Sequence, residues 1–213
     1  MSGGEPFLRN DIEKVYQIFC DNCHIEDLNL PTNGTLPDVI YEKTKIMLES
    51  RKIKNFAVTL SLDATEKMHN EIRGIDCYNN VFKTYNKLLH LKKQHKNFSI
   101  KVNTTLSNKN IDVIPDLIKE VQEKMPKINF HNFEIMRGNP KNNAYTPPTT
   151  SQLEAIRPLI FKTWNHYSFY GKKNFSSRIA LNAKKFLFNT YINILNEKRQ
   201  PFPCYAGRVH AVL

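Results

Sequence analysis

Strand-like runs recur along this sequence, beginning near residues 28, 56, 98 and 130, and each is followed by a helical pattern or a long connection. Steps of about 30 residues or more are the size of a strand–helix repeat. Such alternation predicts an α/β fold, with a parallel sheet covered by helices. Ligand contacts then belong at the C-terminal ends of the strands.

The hydrophobic period carries each assignment. Ile12, Val15, Tyr16 and Phe19 fall at helical spacing, and Asn10 with Glu13 fits a capping box before them. Leu28 to Pro31 reads as a short strand closed by Thr32-Asn33-Gly34, and residues 38–50 read as a helix. Phe56 to Leu62 is a β-like run. Val81, Phe82, Tyr85, Leu88 and Leu89 mark another helix. Phe98, Ile100, Val102, Thr104 and Leu106 alternate as a strand does. Ile114, Leu117, Ile118 and Val121 mark a helix whose first turn tolerates Pro115. Phe130 to Met136 is a further strand. After residue 137 the alternation stops. Gly138 to Pro148 is a loop, Ser151 with Glu154 fits a second capping box, and two helices follow over 151–169 and 175–197 as an appended helical element.

Composition narrows the function classes. The net charge is +11, but the lysines are scattered and the densest basic run is only Lys92-Lys93-Gln94-His95-Lys96. Nucleic-acid recognition asks for a denser patch or a known motif, so background composition explains the charge better. No stretch approaches the roughly 18 consecutive apolar residues of a membrane span. The N-terminus does not read as a signal peptide. Four cysteines in 213 residues are not a disulfide scaffold, and a reducing, cytoplasmic compartment is the default. Cys20 and Cys23 have the spacing of a redox or metal pair, but they end an amphipathic helix with no second pair, and two structural thiols are the simpler reading.

Gly3-Gly4-Glu5-Pro6 opens the chain. Paired glycines let backbone amides and carbonyls approach a ligand, and Pro6 stiffens the position of Glu5. Alone it is an ordinary turn. Its company is more specific: Ser2 to Asp11 runs straight into a helix; Thr32-Asn33-Gly34 ends one strand, Ser61-Leu62-Asp63 the next and Asn103-Thr104-Thr105 the one after; His69-Asn70-Glu71-Ile72-Arg73-Gly74 and Ile135-Met136-Arg137-Gly138-Asn139-Pro140 complete the series. In this order and spacing the sequence resembles the radical SAM enzymes, and Pro203-Cys204-Tyr205-Ala206-Gly207-Arg208 resembles the start of the C-terminal extension in their SPASM-type branch.

The resemblance implies a partial (β/α)6 barrel of the TIM-like type. Residues 1–140 would be the core with strands two to six, 141–202 a helical extension, and 203–213 the start of the auxiliary-cluster segment. It implies S-adenosylmethionine and a four-iron four-sulfur (4Fe-4S) cluster as cofactors. One electron from the cluster breaks the sulfonium–C5′ bond, and the 5′-deoxyadenosyl radical abstracts hydrogen from a substrate. In that branch the substrate is often a peptide or protein side chain, and the electron donor is of the flavodoxin or ferredoxin kind. Gly3, Gly4, Glu5 and Pro6 would meet the methionine amino group. Ser61 and Arg73 would meet its methionyl part and carboxylate, where a planar guanidinium suits paired oxygens. Asp63 would either support the ribose side or order the turn. Met136 or its neighbour would face adenine through backbone atoms, and Asn33 and Asn103 are weaker strand-end candidates. Cys204 matches the first ligand of an auxiliary 4Fe-4S cluster.

The core cluster's C-x3-C-x2-C loop should precede Gly3, yet only Met1 and Ser2 stand there. The first strand–helix unit is therefore missing, and the chain reads as an internal piece of a longer enzyme. Alone it should neither hold the core cluster nor cleave S-adenosylmethionine, and its first strand should leave an exposed sheet edge. A degenerate, non-catalytic relative that only binds is the alternative. An RNA-modifying or nucleic-acid-binding protein is the third class.

Overall fold

The computed structural model describes residues 4–50, 53–137, 142–167 and 175–197. Helix α1 (Ile12–Asn22) precedes β1 (Asp27–Thr32). Then come α2 (Pro37–Ser50), β2 (Asn55–Ser61), α3 (Glu66–Arg73), α4 (Tyr78–Gln94), β3 (Phe98–Leu106), α5 (Ile114–Lys124), β4 (Phe130–Ile135), α6 (Thr150–His166) and α7 (Phe175–Glu197). The strands form one parallel sheet in chain order, β1-β2-β3-β4. The fold class is thus α/β, as the alternation predicts.

Register separates the two sheet faces. Leu30, Val58 and Ile100 are level across three strands and fully buried. They point to the helices with Phe56, Leu60, Val102 and Phe133. The opposite face is polar: Asn29 accepts the Thr59 hydroxyl at 2.7 Å, and Asn132 donates to Asn103 at 2.5 Å. β3 shows the alternation most plainly, with every second residue from Phe98 to Leu106 buried. β1 lies at an edge of the sheet, and Pro31 sits there, where a missing N–H is tolerated.

Helices α6 and α7 pack against each other, and α6 lies against β4. Trp164 is the anchor: 1% exposed, it lies among the rings of Phe130, Phe133, Phe161 and Phe188. Among the described residues no helix is long and apolar enough to cross a membrane.

Of the two expected capping boxes, the first is not formed and the second is displaced. The first helix is capped at Asp11, not Asn10, and no side chain caps it. The reason is local: Arg9 takes the Asp11 carboxylate, Nε to Oδ1 at 2.7 Å and Nη2 to Oδ2 at 3.2 Å. The box of α6 joins Thr149 and Gln152, not Ser151 and Glu154. Thr149-Thr150-Ser151 offers several registers by residue type, and the reciprocal bonds form at the first of them.

Candidate functional site

The strand ends build two clefts. The first, about 250 Å³, is lined by Gly4, Glu5, Pro31, Thr32, Asn33, Ser61 and Arg73. The second, about 490 Å³, is lined by Thr105, Glu134, Ile135, Met136 and Arg137.

Glu5 assembles the first. Its Oε1 accepts the Phe7 N–H at 3.2 Å and the Thr32 hydroxyl at 2.8 Å, and its Oε2 accepts the Asn33 N–H at 2.6 Å. Phe7, 1% exposed, roots the turn in the core, and Pro6 starts the short 3-10 turn that carries it. Gly4 has φ +55°, a conformation that suits glycine, and a Cβ placed on it would meet nothing within 4 Å. The turn's backbone is therefore open to a ligand. On the far side Asn33 Oδ1 accepts from the N–H and hydroxyl of Thr35, which fixes the loop after β1.

Arg73 enters from the last turn of α3. That helix places His69 and Arg73 four residues apart on one side. Arg73 Nη2 meets Asp63 Oδ2 at 2.6 Å, while its Nε is buried and has no protein partner among the described residues. Asp63 itself is 5% exposed and lines neither cleft. Its Oδ1 accepts the Thr105 N–H at 3.0 Å, so one carboxylate joins a wall of each cleft. His69 Nδ1 accepts the Asp63 N–H at 3.1 Å. Burial, with the Arg73 charge and against the Asp63 charge, pushes the His69 pKa down to about 4. The imidazole is therefore neutral, with its proton on Nε2.

Of the residues singled out in the sequence, Gly4, Glu5, Asn33, Ser61 and Arg73 meet in the first cleft, with Pro6 adjoining. Met136 lies in the second, where its carbonyl accepts the Tyr191 hydroxyl at 3.3 Å. Asn103 lines neither cleft and sits on the polar sheet face, level with Ser61 and bonded to Asn132. Gly3 and Cys204, with the whole 203–213 segment, lie outside the described residues. Sequence reasoning missed Asn110, which ties Asp63 to Thr105, and Tyr191 on α7, whose ring also stacks under Arg137 at 5.5 Å. The Ser107-Asn108-Lys109-Asn110 turn carried a signal for the former; nothing local marked the latter.

The cleft fits a ligand with a carboxylate and an amino group: an open glycine backbone, a carboxylate-anchored turn, and a partly exposed guanidinium on its wall. An iron–sulfur cluster is another matter. Among the described residues no group of three His, Cys, Asp or Glu side chains is placed to hold a metal ion. Cys20, Cys23 and Cys77 are free, and burial raises the pKa of the Cys77 thiol. The described residues thus do not supply the thiolates that such a cluster needs.

No protein-family model and no curated protein matches the chain. Solved structures do. One is native anSMEcpe, an anaerobic sulfatase-maturating radical SAM enzyme, with bound AdoMet and Kp18Cys peptide, at TM-score 0.57 and 22% identity, covering 78% of this chain and 45% of that one. The same enzyme with bound AdoMet and Cp18Cys peptide gives TM-score 0.53 at 22% identity, and with bound AdoMet alone 0.56 at 21%, with the same coverage of both chains. At these identities the likeness is one of fold, and the chain spans less than half the length of the structures it matches.

Proposed function

We propose that this chain is the core of a radical SAM enzyme and that its first cleft binds the methionyl end of S-adenosylmethionine. One observation carries the reading. Gly4, Glu5, Asn33, Ser61 and Arg73, singled out from separate sequence motifs, line one cleft at the C-terminal ends of parallel strands. The backbone of the Gly4–Glu5 turn receives the amino group. Ser61 and Arg73 receive the carboxylate, the guanidinium through donors that Asp63 leaves over. The Met136 backbone in the second cleft faces the adenine. S-adenosylmethionine bound there supplies, on one-electron reduction, a 5′-deoxyadenosyl radical for hydrogen abstraction.

In this reading the four-stranded sheet belongs to a partial (β/α)6 barrel, with a helical extension over 141–202 and the start of a SPASM-type segment at 203–213. The core-cluster thiolates come from outside the described residues, the electron from a flavodoxin- or ferredoxin-like donor, and the substrate is a peptide or protein side chain. The likeness in fold to an enzyme with bound AdoMet and peptide supports this.

Equilibrium dialysis of the chain against S-adenosylmethionine tests the reading. Saturable binding that Arg73→Ala and Ser61→Ala weaken is expected. No binding up to millimolar concentration overturns it. The shortage of cluster thiolates among the described residues favours a second reading, a subunit that binds S-adenosylmethionine without cleaving it. Supplying the C-x3-C-x2-C segment with reconstituted cluster separates the two: 5′-deoxyadenosine appears only under the first.

A further inference from the structure

The residue behind Arg73 is held harder than Arg73 itself. The Arg73 side chain is 30% exposed and that of Asp63 only 7%. All four polar atoms around Asp63 are engaged by protein. Oδ1 accepts from Thr105 N, Oδ2 from Arg73 Nη2, the backbone N–H donates to His69 Nδ1, and the carbonyl accepts from Asn110 Nδ2 at 2.6 Å.

Asn110 is fully buried, and its amide is saturated. Nδ2 donates to the carbonyls of Asp63 and Thr105, and Oδ1 accepts from the amide and hydroxyl of Ser107 at 2.8 and 3.2 Å. Those are the two donors and two acceptor sites that a side-chain amide has. The residue beyond β2, the end of β3, the turn after β3 and helix α3 are thereby knotted at one point. Buried polar groups whose hydrogen bonds are all made, as those of Asp63 and Asn110 are, hold their neighbours in fixed places. A guanidinium held by one Nη against such a network presents its remaining N–H groups in a set direction. Arg73 lines the first cleft, and its side chain keeps 30% exposure beside the Asp63 pair.

We propose that Asp63 and Asn110 are positioning residues: they aim the Arg73 guanidinium at a bound carboxylate and do not touch the bound molecule themselves. The proposal rests on the reading of the first cleft as a site for S-adenosylmethionine. It assigns Asp63 to the arginine, and it gives a role to Asn110 in the turn after β3.

The test compares S-adenosylmethionine with its decarboxylated analogue on the full 213-residue chain. The wild-type chain is expected to prefer the carboxylate-bearing compound by about tenfold or more. In Asp63→Asn, which keeps the acceptor for Thr105 and loses the ion pair, the preference falls to near unity, while affinity for the analogue stays within about twofold. A purely structural role would weaken both compounds alike. A second measurement reads the wild-type chain itself and uses a mutant only for assignment. By nitrogen-15 NMR of the ligand-free wild-type chain, the Arg73 guanidinium shows restricted rotation, with separate Nη signals assigned by their loss in Arg73→Lys. An Asp63→Asn chain that keeps the wild-type preference, or a freely rotating Arg73 guanidinium, overturns the proposal while the reading of the cleft stands. A wild-type chain that binds neither compound overturns that reading and the proposal with it.

Discussion

Glu5 Oε2 accepts the Asn33 N–H at 2.6 Å across 28 residues of sequence, and this bond fastens the opening turn to the end of β1. Among the described residues no strand pairing does that work. The first wall of the cleft stands on one carboxylate, which also holds the Phe7 N–H and the Thr32 hydroxyl.

Replacing that carboxylate by an amide is expected to unfasten the turn. In Glu5→Gln the new NH2 must face either the Asn33 N–H or the Phe7 N–H, because each carboxylate oxygen accepts from one of them. Flipping the amide exchanges one donor–donor clash for the other. The loss is about 1–3 kcal/mol, the range for a charge-assisted bond in a partly buried place. Urea unfolding of the two proteins side by side measures it.

Gly34 occupies a left-handed turn at φ +72°, and a Cβ there would sit 3.2 Å from the Val81 Cα and 3.3 Å from its Cγ2. Gly34→Ala therefore meets backbone strain and a crowded neighbour on α4 together. A loss of about 1–3 kcal/mol is expected. Equal stability of mutant and wild type in chemical denaturation would contradict it.

Trp164 is the one tryptophan in the chain, and it is buried among aromatic rings with Lys184 Nζ 5.1 Å from its ring. Its native fluorescence is expected to be blue-shifted, inaccessible to iodide, and to move red on unfolding. Trp164→Ala removes the anchor of α6 and α7 on β4 and should cost about 3–5 kcal/mol.

Acid should destabilise the fold before the carboxylates titrate. Burial lowers the His131 pKa to about 3 and, with the Arg73 charge and against that of Asp63, the His69 pKa to about 4. Both rings are neutral in the folded state near neutrality, whereas an unfolded histidine titrates near 6.5. Below that pH the unfolded chain binds more protons than the folded one. Stability is thus full above about pH 6.5 and falls by up to about 1.4 kcal/mol per pH unit for each ring, as pH drops toward the folded values. The geometry agrees for His131. Thr104 Oγ1 donates to the Leu62 carbonyl at 2.6 Å, so at its 2.9 Å contact with Nε2 the ring is the donor, and a second proton would fall on Nδ1, which is buried with no protein partner among the described residues. Unfolding free energies measured from pH 7 to 4 should show the slope, and His131→Gln should flatten it.

How much was legible in advance differs from element to element. β3 was legible residue by residue, because a half-buried strand writes its period of two into the side chains. The helix over Ile114–Lys124 was equally plain from its apolar spacing. α3 is not legible as a helix. Among its eight residues only His69 is buried, so it has almost no apolar face to read. The caps were misplaced because several adjacent residue types can cap, and the choice between them falls to neighbours such as Arg9.

The cleft divides in the same way. Glu5, Ser61 and Arg73 were marked by motifs, but nothing local says that they meet. Asp63 contacts Thr105 across 42 residues and Asn110 across 47. The sequence by itself determined the alternation of strands and helices, the positions of the strands and the polar residues at their ends. These follow from backbone geometry and one buried face, which any window of a dozen residues records. Tertiary structure alone decided which polar groups pair, which donor of Arg73 has no protein partner, and that the carboxylates of Glu5 and Asp63 both turn to protein. A hydrogen bond between distant residues depends on the packing of every element between them.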